Sequence, residues 1–208
     1  MKVDLSLWSA DLGDLRGALR RLQPDSFHFD VSDNHFVPGL LFFPEAVRQL
    51  RSETQALFHV HLMTERPDTL VAAFAEAGAD WITVHEEAAG AWEALEQVRA
   101  RGLRAGLALR LETPVDAVRA FAGRIDSLLL LGTPAGVKGC GLDPRACPRV
   151  REARSLGVEL VADGGIRADT VPLLRQAGAD WVVPGSLVFA VADPCGAVQG
   201  LRRLCEDD

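Results

Sequence analysis

The chain alternates between short apolar runs and longer segments in which apolar residues recur every three or four positions. The short runs fall near residues 3–8, 26–32, 57–63, 81–86, 104–110, 127–132, 159–163 and 181–186. Their length and their aliphatic and aromatic content predict strands. Leu128-Leu129-Leu130-Leu131 is apolar at every position, as a parallel strand buried on both faces is. The longer segments predict amphipathic helices; over 67–77, Leu70, Phe74 and Ala77 fall on one stripe. Pro44, Pro67 and Pro114 stand at first helical turns, and Gly78, Gly102, Gly157 and Gly178 close helices.

One sequence returns. Ala77-Gly78-Ala79-Asp80-Trp81 recurs as Ala177-Gly178-Ala179-Asp180-Trp181, each time between a helical segment and a strand. If four units separate the copies, each is about 25 residues long, the length of one strand, one helix and two short loops. Eight such units fill the 208 residues. Alternating strand and helix means an α/β fold with a parallel sheet. Eight near-equal units predict a single-domain (β/α)8 TIM barrel over 1–208, with lean loops and no room for a second domain. An open doubly wound sheet would want G-x-G-x-x-G after the first strand; Ser6-Leu7-Trp8-Ser9-Ala10-Asp11 has no glycine.

Composition narrows the partners. With 48% hydrophobic residues the chain can bury a full core. A net charge of −7 and the lack of a basic cluster argue against nucleic acid. No apolar run has the length of a membrane span, and Met1-Lys2-Val3-Asp4 leads straight into a strand rather than a leader, so a cytoplasmic protein without a membrane partner is expected. The four cysteines (140, 147, 195, 205) form no C-x-x-C pair and read as reduced thiols, neither a disulfide framework nor a zinc site. Among 22 basic residues only Lys2 and Lys138 are lysines, so a lysine in a loop stands out.

In such barrels the reacting groups gather at the C-terminal ends of the strands. Within Phe27-His28-Phe29-Asp30-Val31-Ser32, alternation puts His28, Asp30 and Ser32 on one face and the bulky apolar residues on the other. His59 and His61 end the third strand, His85-Glu86-Glu87 the fourth and Asp163-Gly164-Gly165 the seventh. All five histidines, His35 included, lie in or just beyond strands two to four. His28, Asp30, His61 and Asp163 form a competent set for one divalent metal ion such as Zn, Fe, Mn or Co. His61 is preferred to His59 because it lies nearer the strand end. His85 reads as a supporting or substrate contact, and His35 as a residue that packs or caps within its loop.

Asp163-Gly164-Gly165 and Pro184-Gly185-Ser186 follow strands seven and eight, where many barrels bind phosphate through backbone N–H groups. The loop from Gly132 to Gly141 holds four glycines and predicts a mobile lid, with Gly136, Lys138 and Gly139 as substrate contacts. The apolar stretch Phe36, Leu40, Leu41, Phe42 and Phe43 reads as pocket or as an interface in a homo-oligomer.

Leu5-Ser6-Leu7-Trp8-Ser9-Ala10-Asp11, His28-Phe29-Asp30-Val31-Ser32-Asp33-Asn34-His35-Phe36-Val37-Pro38, Val60-His61-Leu62-Met63 and Asp163-Gly164-Gly165 together resemble the ribulose-phosphate 3-epimerase family, from about residue 3 to residue 189. The resemblance implies a metal-dependent isomerase that inverts C3 of a ketose phosphate through an enediolate. It implies His28, Asp30, His61 and Asp163 as metal ligands, with Asp30 and Asp163 also the acid/base pair. Ser6 and His61 would contact the sugar, and Gly164, Gly165, Gly185 and Ser186 the phosphate. The chain departs from the family where Ser32-Asp33-Asn34 replaces Met-Asp-Gly and where Lys138 enters the lid, which leaves the choice of tetrulose, pentulose or hexulose phosphate open. Two alternatives stand beside the epimerase. One is a sugar-phosphate lyase, a decarboxylase or aldolase; such decarboxylases usually carry Lys where Ser32 stands. The other is a non-catalytic sugar-phosphate binding protein.

Overall fold

Eight parallel strands close into a ring in the computed structural model, which describes residues 1–206. They are β1 (Lys2–Ser6), β2 (Ser26–Asp33), β3 (Leu57–Met63), β4 (Trp81–His85), β5 (Arg104–Leu109), β6 (Ser127–Leu131), β7 (Glu159–Asp163) and β8 (Trp181–Val183). Strand β1 pairs with both β2 and β8, which completes the barrel. Around it lie α1 (Leu15–Arg21), α2 (Pro44–Leu50), α3 (Val71–Glu76), α4 (Ala91–Ala100), α5 (Ala146–Ala153), α6 (Val171–Ala177), α7 (Ser186–Phe189) and α8 (Pro194–Glu206). The (β/α)8 barrel expected from the periodicity is the fold. Residues 207 and 208, counted in the expected domain, lie outside the described residues.

Strand pleating separates two sets of buried side chains. Leu5, Phe27, Phe29, Phe58, Val60, Ile82, Val84, Leu128 and Leu130 point outward into a core shared with the helices. Trp81, Ala108, Leu129, Leu131, Val161, Trp181 and Val183 form a second apolar cluster inside the ring. That inner cluster fills only part of the ring. The rest of the inner face is polar and buried: Asp4 and Ser6 on β1, His28 and Asp30 on β2, His59 and His61 on β3, Thr83 and His85 on β4.

The recurring Ala-Gly-Ala-Asp-Trp has a mechanical reason. Gly78 and Gly178 take positive φ (100° and 103°) where helices end, a conformation that costs glycine little. Asp80 Oδ2 then accepts from the Phe58 N–H and Asp180 Oδ2 from the Leu160 N–H, both at 2.8 Å. Asp25 receives the Val3 N–H (2.9 Å) and Asp126 the Ala105 N–H (2.8 Å) in the same way. An aspartate just before each even strand therefore caps the start of the preceding odd strand, four times around the N-terminal rim.

Several boundaries differ from the expected ones. Strand β1 stops at Ser6 because the Ser6 hydroxyl accepts from the Trp8 N–H (3.3 Å), turning 7–9 into a 3-10 helix. The segment from Val115 to Phe121 is also a 3-10 helix: its buried residues Val115, Val118 and Phe121 recur every three positions, the period of that helix. Strand β8 ends at Val183, three residues short, since Ser186 already begins α7. An unexpected two-residue strand, Leu40–Leu41, pairs antiparallel with Ser32–Asp33 and folds the loop after β2 back over the barrel.

Candidate active site

The inner polar residues stack in layers along the barrel axis. At the bottom the Arg104 guanidinium lies 3.8 Å from the centre of the Trp81 ring and pairs with Glu159. His59 stacks on the other part of that layer, its ring 3.6 Å from Trp81 and within 2° of parallel. Asp4 Oδ2 accepts from Nδ1 of both His28 (2.8 Å) and His59 (2.6 Å), and Thr83 Oγ1 stands 2.7 Å from His59 Nε2. Gly106 leaves space for this: a Cβ there would come within 2.0 Å of Thr83 Oγ1.

Above lie the four residues singled out by the sequence. His28 Nε2 is 3.2 Å from Asp30 Oδ1 and 3.3 Å from His61 Nδ1, and Asp163 Oδ2 is 3.7 Å from His61 Nδ1. One donor atom from each lies within 4.8 Å of the others. Donors that share an ion at about 2.1 Å stand roughly 3 to 3.4 Å apart at right or tetrahedral angles, so the nitrogen and oxygen set fits a divalent metal. Ser6 Oγ donates to Asp30 Oδ2 at 2.7 Å and fixes the carboxylate.

Burial and neighbouring charge push these groups apart. Burial works against the charge on Asp30, yet the adjoining His28 holds its carboxyl far below the usual range. Burial also opposes a proton on His28, but Asp30 and Asp4 on two sides raise it well above an ordinary histidine. Asp163 has no such cation in contact: burial and the charge of Asp30 push it up to about 7. Burial, with His85 and His28 nearby, brings His61 down to about 3.

Ser6, Asp30, Asp163, Gly164, Gly165, Gly185 and Ser186 line one cavity with Gly136, Lys138 and Gly139 of the lid. Gly164 and Gly165 have positive φ (90° and 70°), and a Cβ on Gly165 would reach the Leu142 backbone at 2.5 Å. His28 and His61 are fully buried beneath it. Lys138 does not point at the glycines. Its Nζ donates to the Trp8 carbonyl (2.5 Å) and sits 4.6 Å from the Trp8 ring centre, so the lid is tied across the cavity mouth.

The remaining expectations divide. His85 supports: its Nε2 is 2.9 Å from His61 Nε2 and its Nδ1 3.0 Å from Glu87 Oε2. His35 is exposed rather than packed, and only its backbone N–H is engaged, by Asp33 (2.9 Å). Phe36 lies against His85 (4.8 Å), and Phe42 packs on Phe29 (5.4 Å), while Leu40 and Phe43 are 80% and 60% exposed. Ser32 donates to the Gly39 carbonyl (3.1 Å) instead of entering the cavity. Asp4 and the clasp at Trp8 have no counterpart among the expectations from the sequence, and Glu87 figures there only as part of the polar end of the fourth strand, without its contact to His85. Asp4 is legible in principle, since it shares a face with Ser6 two residues on.

A parallel barrel with acid, imidazole and glycine residues gathered at the C-terminal ends of its strands has the form of a TIM-barrel enzyme. The chain belongs to the ribulose-phosphate 3-epimerase family, whose family model matches residues 2–189, and it is an isomerase of the racemase and epimerase group. It is 32% identical to ribulose-phosphate 3-epimerase of Bacillus subtilis, covering 97% of this chain and 98% of that one. Against the Treponema pallidum ribulose-phosphate 3-epimerase the identity is 37%, with 97% and 94% covered. Among solved structures, a 3-hexulose-6-phosphate synthase (TM-score 0.75, 19% identity, 98% of this chain and 99% of that one) shares the fold. So does KGPDC from Streptococcus mutans (TM-score 0.82, 16%, 99% and 97%). Among the described residues no helix is long and apolar enough to cross a membrane.

Proposed function

We propose that the protein is a metal-dependent epimerase that inverts C3 of a ketose phosphate, with ribulose 5-phosphate and xylulose 5-phosphate the first pair to test. The observation that carries this reading is that two carboxyl groups, Asp30 and Asp163, belong to one cluster of His and Asp donors and line one cavity. Inversion needs a base on one face of a planar intermediate and an acid on the other, and two carboxyls on strands β2 and β7, which do not neighbour each other in the ring, fit those roles.

His28, Asp30, His61 and Asp163 would hold one divalent ion, Zn, Fe, Mn or Co. When bound, it supplies Lewis-acid polarisation of the ketone, without which a proton alpha to a carbonyl is too weakly acidic for a carboxylate. Asp30, steadied by Ser6, removes the C3 proton. Asp163, on a strand separated from β2 by β1 and β8, returns a proton to the other face. The reverse reaction exchanges their roles. Ser6 and His61 contact the sugar. Backbone N–H groups of Gly164, Gly165, Gly185 and Ser186 take the phosphate, and Gly136 and Gly139 carry the lid over it. The exposed Leu40 and Phe43 offer a face for a homo-oligomer, and the chain works in the cytoplasm.

Removal of the metal with a chelator is expected to stop turnover, and adding one divalent cation to restore it. Full activity after verified metal removal would end the metal reading. Lys138 marks the substrate end. Lys138→Ala unties the lid from Trp8 and removes a cation from the mouth. One charge-assisted hydrogen bond is worth about 1.5–3 kcal/mol, so KM is expected to rise about tenfold or more with kcat little changed. A fall in kcat alone would place Lys138 in the chemistry instead.

A further inference from the structure

The two candidate metal-binding imidazoles each have a second nitrogen that faces away from the site, and each of these ends, directly or through one more ring, on a carboxylate: Asp4, fully buried, or Glu87, partly buried. We propose that Asp4 and Glu87 are positioning residues that decide which nitrogen of His28 and of His61 is bare and aim it at the metal. The inference rests on the metal reading above.

Take His28 first. Its Nδ1 faces Asp4 Oδ2 at 2.8 Å and its Nε2 faces Asp30 and His61 at 3.2 and 3.3 Å. A carboxylate has lone pairs and no hydrogen to give, so Asp4 holds a proton on Nδ1, and Nε2, whose own proton an arriving cation displaces, is the nitrogen left for an ion. Asp4 is itself held still. The same oxygen accepts from His59 Nδ1 at 2.6 Å, and His59 is locked between Thr83 (2.7 Å) and the parallel Trp81 ring. Asp4 and His59 are fully buried below the cavity. They do not touch substrate and act only through His28.

His61 is set the opposite way, by a longer chain. Glu87 Oε2 is 3.0 Å from His85 Nδ1, which fixes the proton of that ring on Nδ1 and makes its Nε2 an acceptor. The contact 2.9 Å away must then be donated by His61 Nε2, leaving His61 Nδ1 bare. Glu87 is anchored in turn by the Arg110 N–H (2.8 Å) and the Thr113 hydroxyl. The Nε2 of His28 and the bare Nδ1 of His61 thus meet across 3.3 Å. A cation between them, the proton on His28 Nε2 or a metal ion in its place, satisfies both nitrogens. Outer carboxylates that orient ligand histidines typically change metal affinity 10- to 100-fold when removed.

The test uses the whole chain with zinc as the probe. In histidine-labelled protein carrying 15N, zinc-loaded, NMR is expected to show His28 protonated at Nδ1 and metal-bound at Nε2. His61 should show the reverse, protonated at Nε2 and bound at Nδ1. Zinc titrated against a chromophoric chelator is expected to bind Asp4→Asn about 10- to 100-fold more weakly, because the amide can donate and lets His28 turn. Glu87→Gln, one ring further away, should weaken it about 10-fold. Metal-free melting curves establish that each variant is folded. If a variant is too unstable to titrate, the wild-type spectrum alone decides. Zinc bound through His28 Nδ1 or His61 Nε2, or both variants binding within twofold of wild type, would overturn the assignment. Wild-type protein that binds no zinc would instead sink the metal reading on which it rests.

Discussion

Asp163→Asn is expected to abolish epimerisation, lowering kcat by about 10³-fold or more, within the range for a lost general acid or base, and yet to stabilise the metal-free protein at pH 8. Burial and the Asp30 charge raise the Asp163 carboxyl from 3.8 to about 7. The folded chain therefore keeps a proton that the unfolded chain has already lost. The stability that proton confers is complete below pH 3.8 and disappears as pH rises through 7. At pH 8 the carboxylate is ionised, buried and next to Asp30, and the amide relieves it. The gain is on the order of 2 kcal/mol, or about 4–8 °C in Tm for a chain of this size. At pH 5 the gain should shrink to about a third of that, and it should vanish only below pH 3.8, where folded and unfolded chains both keep the proton. Melting curves of chelated protein at the two pH values check this. An equal shift at both, or a loss at pH 8, would mean that charge is not the cause.

Asp30→Asn should cost the same activity with the opposite effect on stability. Asp30 lies 3.2 Å from His28 Nε2 and accepts from Ser6 at 2.7 Å, and its carboxyl is held far below the usual range by the neighbouring His28 charge. A depressed carboxyl contributes stability that is present above pH 3.8 and is lost as pH falls through its folded value. At pH 8 the whole contribution is in play. Its removal leaves His28 without one of its two carboxylate neighbours, and breaking a buried pair costs about 3–5 kcal/mol when no new partner forms. Asn keeps an acceptor for Ser6, so about 2 kcal/mol is expected. Two variants alike in turnover and opposite in metal-free stability are hard to explain by general damage to the barrel. Equal stability changes in the two would show that the carboxyls do not differ in charge state.

The barrel was legible because short strands with an apolar outer face alternate with amphipathic segments at near-equal spacing, and because the aspartates that cap strand starts repeat with the fold. Asp80 and Asp180 do the same work a hundred residues apart, so the sequence repeats where the geometry repeats. Lengths were less legible. Nothing in the alternation of Leu5, Ser6, Leu7 and Trp8 announces that Ser6 will bend its hydroxyl back and end the strand. At the site, alternation tells which side of a strand a residue occupies but not its depth along the axis. His59 and His61 share a face; nearness to the strand end favours His61 in the sequence, and the register with β4, which sets His59 against Trp81 and His61 against Thr83, gives their depths. Lys138 shows the other gap. Its partner, the Trp8 carbonyl, lies 130 residues away, and no local pattern records such a contact.

The central claim is proton abstraction at C3 between two carboxyl groups, and it has a direct measurement. Metal-loaded protein is mixed with ribulose 5-phosphate in D2O, and the C3 proton is followed by NMR. The C3 signal should vanish as deuterium enters from solvent, with xylulose 5-phosphate appearing in the same samples. If another ketose phosphate is the true substrate, it should exchange and epimerise faster under the same conditions. If neither ribulose 5-phosphate nor any tetrulose, pentulose or hexulose phosphate exchanges its C3 proton on metal-loaded protein, the proposed chemistry is contradicted.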